Sequence, residues 1–367
     1  MEKKTLVYCN ADNFFDTDCT VLRHLTKDFR VVWFPIYHPH DANHKFSLEE
    51  LEQYAREYGI DYHPQVINYR RRDVRNFLRY WQILWQIRCQ HPDVVYTASG
   101  DFQWHLYAPL LLDRRRVVVG FHDVEPHSNI QHAGHIARVI SLRARLYQHH
   151  ITHSAGQQRV LFDKYGKKST CVGMSIKDYG PSPLKPPPLE KGIRLLFFGG
   201  IQSYKGLDLL IKAMEELYEK GITSLHLTIA GQGPHWQKCQ PLIRHAEMYD
   251  LQIRYVDNAE LPDLMSSHHF MVQPYRDVTN SGPMMIALNY ALPLIAPDIG
   301  CFAEVYTPET ALLYPQGHLT EALGQVANVT AKKYENMHKH CIDLRQQYTE
   351  QAVAARYVKT FKEVAAL

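Results

Sequence analysis

Short apolar runs alternate with longer amphipathic segments along this chain of 367 residues, and no other feature restricts its fold as strongly. Runs typical of buried strands occupy residues 5–9, 30–35, 93–97, 116–121 and 150–153. Segments with helical periodicity, such as residues 48–58 and 72–90, stand between them. Strands separated by helices predict a parallel sheet with helices on both faces.

A stretch rich in proline and glycine interrupts this alternation at residues 177–192. It cannot continue a helix and favours an extended spacer. The alternation then restarts, with strands predicted at 193–198, 225–230, 252–256, 270–273, 294–296 and 311–314. Helices are predicted at 207–220, 241–249, 261–266 and 284–290, and a long polar helical region at 319–364 ends the chain.

The repeated pattern predicts an α/β chain of two Rossmann-like, doubly wound domains that face each other across a cleft. A chain of this length suits two hydrophobic cores. We place an N-terminal domain at residues 1–176, a linker at 177–192 and a C-terminal domain at 193–350. Residues 351–367 are expected to form a helix that packs back on the N-terminal domain.

Composition excludes several classes of function. Lys+Arg 41 against Asp+Glu 38 gives no argument for a nucleic-acid partner. The seven cysteines form no CxxC pair, and the histidines near 149–153 and 268–269 lack further ligands at metal spacing, so we expect neither disulfides nor a metal site. The apolar residues 5–9 are too few for a signal peptide, and no apolar run reaches the roughly 18 residues of a membrane span. We therefore expect a cytoplasmic protein.

The segment 194–210 has the strongest pattern that points to chemistry. A strand leads into Gly199-Gly200, and Lys205 follows at the opening of a helix. Glycine admits a close ligand, a helix N-terminus offers free N–H groups to an anion, and lysine adds a positive charge. This turn either binds a diphosphate or is a plain strand-to-helix turn.

Two further segments repeat this logic. In one, a buried strand ends in Gly231-Gln232-Gly233-Pro234. In the other, residues 271–297 pass from a strand through a turn with Thr279, Ser281 and Gly282 to a helix start, where hydroxyl and backbone groups are available to a phosphate or a sugar.

These motifs, in this order and spacing, resemble the donor-binding half of the GT-B glycosyltransferases of family 4, also called group 1. The resemblance lies in Gly-x6-Gly with Lys205 before the second glycine, in "LTIAGQGP", in "PYRDVTNSG" and in "ALNYALPLIAPDIGCFAE". It covers roughly residues 190–315, and "VVVGFHDVEPH" extends it more loosely into the N-terminal half.

The resemblance implies a retaining, hexosyltransferase-like enzyme that moves a sugar from a UDP- or GDP-sugar to a saccharide or lipid-linked acceptor, in polysaccharide or glycolipid biosynthesis, without a required metal or other cofactor. Lys205 would neutralise the leaving diphosphate, and His122 would contact the donor sugar or merely cap a strand end. Glu304 would contact the donor or cap a helix. The implied donor-binding residues are Gly199, Gly200, Lys205, Gly231, Gly233, Pro234, Tyr275, Thr279, Ser281, Gly282 and Glu304.

The acceptor is expected to meet Asp12, Asn13 and Asp123. In the loop at 10–16, polar side chains could bind acceptor hydroxyls, and the alternative is a polar turn in which Asp16 or Thr17 caps a helix.

The chain departs from the family pattern at three positions. Gly200 replaces a frequent arginine, and Thr279 and Ala287 replace two glutamates, the second of which commonly holds the nucleotide ribose. The chain resembles a "PYR…SG" branch without these glutamates. A catalytically silent GT-B module that binds a saccharide or a partner transferase is therefore the alternative, and a sugar-nucleotide epimerase fits the motifs less well.

Residues 69–85 combine five arginines with aromatic residues at helical spacing. Such a helix can lie on an anionic membrane surface, which predicts peripheral contact around Arg70–Trp85 at the inner face of the membrane. The alternative is an ordinary helix that packs its tryptophan and leucine stripe inward and leaves its arginines in water.

Overall fold

We analysed a computed structural model, which describes residues 3–11, 14–39, 46–70, 73–125, 133–182, 184–185, 187–189 and 192–367. The chain forms two compact units. Unit 1 comprises residues 1–175 together with 350–367, and unit 2 comprises residues 176–349. Each unit is an α/β fold built on a parallel sheet.

The main sheet of unit 1 has seven parallel strands in the order β4-β2-β1-β6-β7-β8-β9, and β3 pairs with β5 beside it. β-branched runs such as Val117–Val119 favour these strands because they pack well on a pleated, buried surface. The strands are β1 (Thr5–Tyr8), β2 (Arg30–Trp33), β3 (Ile36–Tyr37), β4 (Asp61–Tyr62), β5 (Gln65–Val66), β6 (Val94–Thr97), β7 (Val117–Phe121), β8 (His149–Thr152) and β9 (Thr170–Cys171).

The helices of unit 1 connect these strands and cover both faces of the sheet. Ser47 and Glu50 form a reciprocal capping box at the start of α2, and Ser154 caps α6, which ends at the left-handed Gly166. The helices are α1 (Phe15–Leu25), α2 (Leu48–Glu57), α3 (Arg75–Cys89), α4 (Phe102–Leu111), α5 (Ala133–Leu146) and α6 (Ala155–Tyr165). Because α1 begins at Phe15 and has no side-chain cap, the interpretation of Asp16 or Thr17 as its cap is wrong.

The sheet of unit 2 has six parallel strands in the order β12-β11-β10-β13-β14-β15. Its strands are β10 (Ile193–Phe198), β11 (Leu225–Ala230), β12 (Tyr249–Gln252), β13 (Phe270–Val272), β14 (Leu294–Pro297) and β15 (Ala311–Tyr314). The helices are α7 (Leu207–Glu219), α8 (Trp236–Cys239), α9 (Leu261–Ser266), α10 (Gly282–Asn289), α11 (Gly300–Val305), α12 (Leu319–Ala327) and α13 (Ala331–Arg345).

The predicted helix at 241–249 is wrong, and so are the bounds of the strand predicted at 252–256. Residues 240–242 and 246–248 form short 3-10 turns, and β12 runs from Tyr249 to Gln252. The cause is the buried Glu215 of α7, whose carboxylate accepts hydrogen bonds from the backbone N–H groups of Arg244 (3.0 Å) and His245 (3.4 Å). Amides bound by a side chain do not extend a helix.

The predicted helical region at 319–364 is three helices. Asn328 ends α12, Thr330 caps α13, and a 3-10 turn at residues 346–348 precedes α14 (Glu350–Ala365). This last helix belongs to unit 1, where its buried side chains pack with the core on one face of the sheet. Phe361 is fully buried, with its ring 5.6 Å from that of Tyr96 on β6 and 6.3 Å from that of Phe29.

We predict that Phe361→Ala lowers the free energy of unfolding by about 3–5 kcal/mol, because it leaves a cavity among aromatic rings. Phe162→Ala on α6 is the matched control, since that ring is 53% exposed and its loss should cost less than about 1 kcal/mol. Urea unfolding followed by tryptophan fluorescence reports mainly on unit 1, which holds four of the five tryptophans. Equal effects of the two substitutions would show that α14 is not part of the unit 1 core.

Candidate functional site

The strand order of unit 2 contains one point where the connections change direction, and it lies beside β10. From β10 the chain passes to β11 on one side, whereas β13 pairs with β10 on the other side. In parallel α/β sheets, ligands bind outside the carboxyl ends of the strands at such a point. The segments that follow β10 and β13 begin at Gly199 and Gln273, respectively.

The turn after β10 holds an open backbone surface at Gly199. This residue has a φ of +112°, which favours glycine, and its N–H donates to Ala230 O (2.9 Å). A Cβ placed on Gly199 would lie 3.3 Å from Lys205 Nζ and 3.4 Å from the ring of Pro283. The backbone of this turn, the lysine ammonium and the start of α10 therefore meet at one place, and Gly200 next to it is exposed.

The glycine turn after β11 packs directly against the turn after β10. A Cβ on Gly231 would lie 2.0 Å from Gly199 O, and one on Gly233 would lie 2.3 Å from Ile201 O. Contacts this close exclude any side chain, so packing of one turn on the other explains both glycines. The expected contact of Gly231, Gly233 and the exposed Pro234 with a donor therefore remains a prediction.

Lys205 is a buried cation in a short 3-10 turn just before α7, rather than the opening residue of a helix. Among the described residues its ammonium has no hydrogen-bond or ion-pair partner; its one charge-related contact is the ring of Tyr275, 5.5 Å from Nζ. Burial lowers the pKa of Lys205 from 10.5 to about 8. A buried lysine without an opposite charge is costly, which makes Lys205 a candidate anion-binding group.

Arg276, to which the sequence analysis gave no role, holds the lysine turn in place. Its guanidinium donates to both carboxylate oxygens of Asp208 (3.0 and 2.6 Å) and to Ser203 O (2.6 Å). Its backbone N–H donates to Tyr204 O (2.7 Å). The signal was present in the sequence, since Arg276 lies in "PYRDVTNSG", but only the tertiary structure brings it to Asp208.

The buried Tyr275 closes one side of the lysine turn through its ring contacts. Its centroid lies 5.8 Å from that of Tyr204 and 5.4 Å from that of Phe302 on α11. Burial raises the pKa of the Tyr275 hydroxyl. The tyrosine therefore provides an apolar, aromatic wall beside the ammonium.

The start of α10 completes the cluster. Ser281 Oγ accepts from the N–H of Met284 (3.3 Å) and donates to Gln273 Oε1 (3.0 Å), so this buried hydroxyl is a helix cap. Gly282 has open space where a Cβ would stand, and the positive end of the helix dipole adds to the charge of Lys205. We call Gly199, Gly200, Lys205, Tyr275 and Ser281–Pro283 the Lys205 site.

The remaining predicted donor residues lie on neighbouring elements. Thr279 is half-buried in the turn before Ser281, and Glu304 is half-buried on α11. Ala287, where the family often has the ribose-binding glutamate, is fully buried inside α10. A large groove of 710 Å³ beside β11 and β12 contains none of these residues. We therefore place the candidate anion site at Lys205.

Unit 1 has the same kind of switch point, because β1 pairs with β2 on one side and with β6 on the other. His122, just after β7, stacks between Phe14 (4.5 Å between centroids) and the buried His153 (4.2 Å). Asp123 next to it is half-buried. Asp12 and Asn13 lie outside the described residues.

Two sets of buried polar groups lie at this edge of unit 1, and the sequence analysis missed all of them except Asn10, which belongs to the loop at 10–16. Asn10 accepts from the N–H of Ala98 (2.5 Å) and donates to Asp18 (2.8 Å), which ties the ends of β1 and β6 together, and burial raises the pKa of Asp18 to about 8. Ser99 Oγ donates to the buried Asp101 (2.8 Å). Neither set had a motif in the sequence.

Within the described parts of the chain, no three His, Cys, Asp or Glu side chains are grouped so as to hold a metal ion. The same residues include no helix with both the length and the apolar character needed to cross a bilayer.

The chain resembles known proteins both in sequence and in fold. Residues 192–330 match the family described as "Glycosyl transferases group 1". A GDP-mannose:glycolipid 4-beta-D-mannosyltransferase of Xanthomonas campestris pv. campestris is 32% identical over 137 residues, which are 35% of this chain. The match spans only 38% of the length of that relative.

Solved structures match over nearly the whole chain at low identity. A glycosyltransferase from Rickettsia africae is 13% identical, with a TM-score of 0.70 and 99% of both chains covered. Anabaena HepE in complex with UDP is 14% identical, with a TM-score of 0.71 over 98% of this chain and 100% of that one. The chain therefore has the GT-B fold, and the part of it that matches the group 1 glycosyltransferases is residues 192–330.

Proposed function

We propose that this protein transfers a sugar from a nucleotide diphosphate sugar to a saccharide or lipid-linked acceptor, and that the Lys205 site binds the diphosphate. One observation carries the proposal: the ammonium of the buried Lys205, without a partner among the described residues, lies beside the glycine turn after β10 at a sheet switch point. A diphosphate supplies the missing negative charge, and its backbone contact would come from the N–H of the exposed Gly200, since the N–H of Gly199 already donates to Ala230 O.

The chemical role of Lys205 follows from its charge. The diphosphate gains negative charge as the bond to the sugar breaks, so a fixed ammonium stabilises the transition state more than the bound substrate. The start of α10 adds a second positive field at the same point. The other polar donor contacts that we propose are Thr279 and Glu304, which lie beside this cluster.

The named relatives suggest the substrates. Because the Xanthomonas proteins are named for GDP-mannose and a glycolipid, we propose a GDP-sugar donor and a lipid-linked acceptor, in glycolipid or polysaccharide biosynthesis. A UDP-sugar is the second candidate, since HepE is seen with UDP. We assign acceptor contacts to unit 1, with Asp12, Asn13 and Asp123 as candidates.

The alternative function is a silent GT-B module that binds a saccharide or a partner transferase. Gly200, Thr279 and Ala287 favour it, because these positions lack one cation and two carboxylates found in many family members. The unneutralised Lys205 opposes it, because a module without an anionic ligand gains nothing from this buried charge.

Nucleotide binding and turnover test the proposed transferase activity. GDP at 100 times its dissociation constant should stabilise the protein by about 2.7 kcal/mol, which raises the melting temperature by several degrees. UDP, ADP and CMP at the same concentration should raise it less. With the matching donor, release of nucleotide diphosphate should depend on the acceptor, and Lys205→Ala should lower kcat by about 10²–10³-fold. Lys212→Ala, at an exposed lysine of α7, is the control.

The outcomes separate the candidate functions. A response to UDP alone would change the donor base and keep the transferase. If no nucleotide stabilised the protein and no acceptor-dependent release of nucleotide diphosphate occurred, the result would support the silent module instead of the transferase.

The charge of Lys205 can be tested without any substrate. Lys205→Met should raise the free energy of unfolding by about 2–3 kcal/mol at pH 7, because it removes a buried charge whose pKa falls from 10.5 to about 8 on folding. The cost of this charge is complete below pH 8 and disappears as pH rises from 8 towards 10.5. The gain in stability should therefore vanish over that interval in urea titrations.

Lys212→Met is the matched control and should show no such pH dependence. A gain from Lys205→Met that is equal at pH 7 and pH 10 would attribute it to apolar contacts and contradict a buried charge.

The stereochemical course is a separate proposal. We expect retention, with His122 contacting the donor sugar near its reactive carbon, as the family resemblance implies. Proton NMR of the product should then show the anomeric configuration of the donor, and His122→Ala should lower kcat more than it raises KM for the donor. The relatives are named for a β-mannosyl product. If this protein also formed a β-mannoside from an α-configured donor, the reaction would invert the anomeric carbon and the proposal of retention would be wrong.

A further inference from the structure

Helices α3 and α4 of unit 1 expose large apolar side chains, although their other faces pack in the core. Leu78 is 66% exposed, Trp85 is 52% exposed and Leu110 is 68% exposed. The exposed apolar residues recur every three or four positions, so each helix presents one apolar stripe to solvent. They are Val74, Leu78, Trp81 and Trp85 at α3, and Phe102, Leu106 and Leu110 on α4.

The two stripes form one continuous surface because the helices pack side by side. The ring of Trp81 lies 5.4 Å from that of Tyr107, which is next to Leu106 in sequence and three positions before Leu110 on the same side of α4. At the other end, Arg88 donates to Leu111 O (2.9 Å) and holds the two helix ends together. The alternative in which the tryptophan and leucine stripe packs inward therefore holds for Leu84, which is buried, and not for Leu78 or Trp85.

A basic cavity adjoins the end of α4. Its volume is 570 Å³, and it begins at Pro109, the neighbour of the exposed Leu110. Four cationic side chains line it: Arg114, Arg115, Arg145 and Lys167. Asp113 is the one acidic residue among those that line it, and it is already paired with Arg115 (2.9 Å).

The opposite end of the stripe is also cationic. Arg70 and Arg75 are exposed there. Arg75 is paired with Asp73 (2.7 Å) and stacks on the exposed Tyr69 with its guanidinium carbon 3.9 Å from the ring centroid, so Arg70 supplies the unneutralised charge among the described residues at this end. Arg71 and Arg72 lie outside the described residues. The segment 70–90 has six arginines and one acidic residue, Asp73.

We propose that this surface, called here the α3–α4 face, docks on an anionic lipid bilayer, with phosphate headgroups entering the basic cavity. The distribution of apolar and charged side chains favours a bilayer as the partner of this face. Apolar and indole side chains suit the boundary of the acyl chains, and the arginines at both ends suit lipid phosphates. The described helices do not cross a membrane, so the contact is peripheral. The inference does not rest on the proposed function, because a protein without transferase activity would dock in the same way.

The test is sedimentation of the full chain with large unilamellar vesicles. We expect at least about tenfold tighter binding to vesicles with 30% phosphatidylglycerol than to pure phosphatidylcholine, and weaker binding as NaCl is raised. Leu78→Glu combined with Trp85→Glu should reduce binding by about tenfold or more. Leu251→Glu combined with Tyr255→Glu is the matched control, since these side chains are 46% and 64% exposed in unit 2.

The basic cavity has its own variant. Arg114→Glu combined with Arg145→Glu should remove most of the preference for phosphatidylglycerol and leave weak binding to phosphatidylcholine unchanged. If millimolar glycerol phosphate displaced the protein from the vesicles, the cavity would be a site for a soluble phosphate compound and not for a bilayer.

A second readout starts from the wild-type chain and uses one double variant only as its control. Brominated acyl chains should quench tryptophan fluorescence on vesicle binding, and Trp81→Phe combined with Trp85→Phe should remove this quenching. Wild-type protein that ignores anionic vesicles, or that shows no quenching, would overturn the proposal. So would a dimer that Leu78→Glu and Trp85→Glu disrupt, because the face would then bind a second copy.

Discussion

The site in unit 2 depends on close packing of backbone on backbone at the carboxyl edge of its sheet. The turn after β11 lies so near the turn after β10 that a methyl group on Gly231 would stand 2.0 Å from Gly199 O. The same is true of Gly206, where a Cβ would meet Pro274 O at 2.0 Å. These contacts fix the three segments after β10, β11 and β13 against each other, and thereby fix the place of Lys205.

A charge that is held in this way has both a cost and a use. Lys205 is nearly out of water and finds no partner among the described residues, which is unfavourable for folding. With the same arrangement, the diphosphate that we propose would need no rearrangement of the backbone to find its counter-charge. Arg276, through Asp208 and Ser203 O, holds the backbone of the turn that carries Lys205.

Unit 1 uses polar side chains where unit 2 uses glycine. Asn10 and Asp18 join the ends of β1 and β6, and His122 is held between two rings. The amide of Asn10 is engaged in these internal bonds, so it shapes the edge of the sheet, and the acceptor contacts that we propose fall to other residues of unit 1. If the α3–α4 face docks on a bilayer as proposed, it would bring this protein to the surface that carries the proposed lipid-linked acceptor.

The sequence by itself determined the fold class, the two sheets and the positions of their main strands along the chain, since apolar periodicity and turn residues are local signals. The order of the strands within each sheet was a result of the tertiary structure. It also indicated Lys205 and the glycine turns, because their motif is contiguous. The tertiary structure decided what depends on contacts between distant residues. The carboxylate of Glu215 binds the amides of Arg244 and His245, where a helix was predicted. Arg276 pairs with Asp208, and the hydroxyl of Ser281 caps α10. The exposure of Leu78 and Trp85 was likewise undecided, because periodicity shows that a helix has an apolar face and only packing shows whether anything covers it.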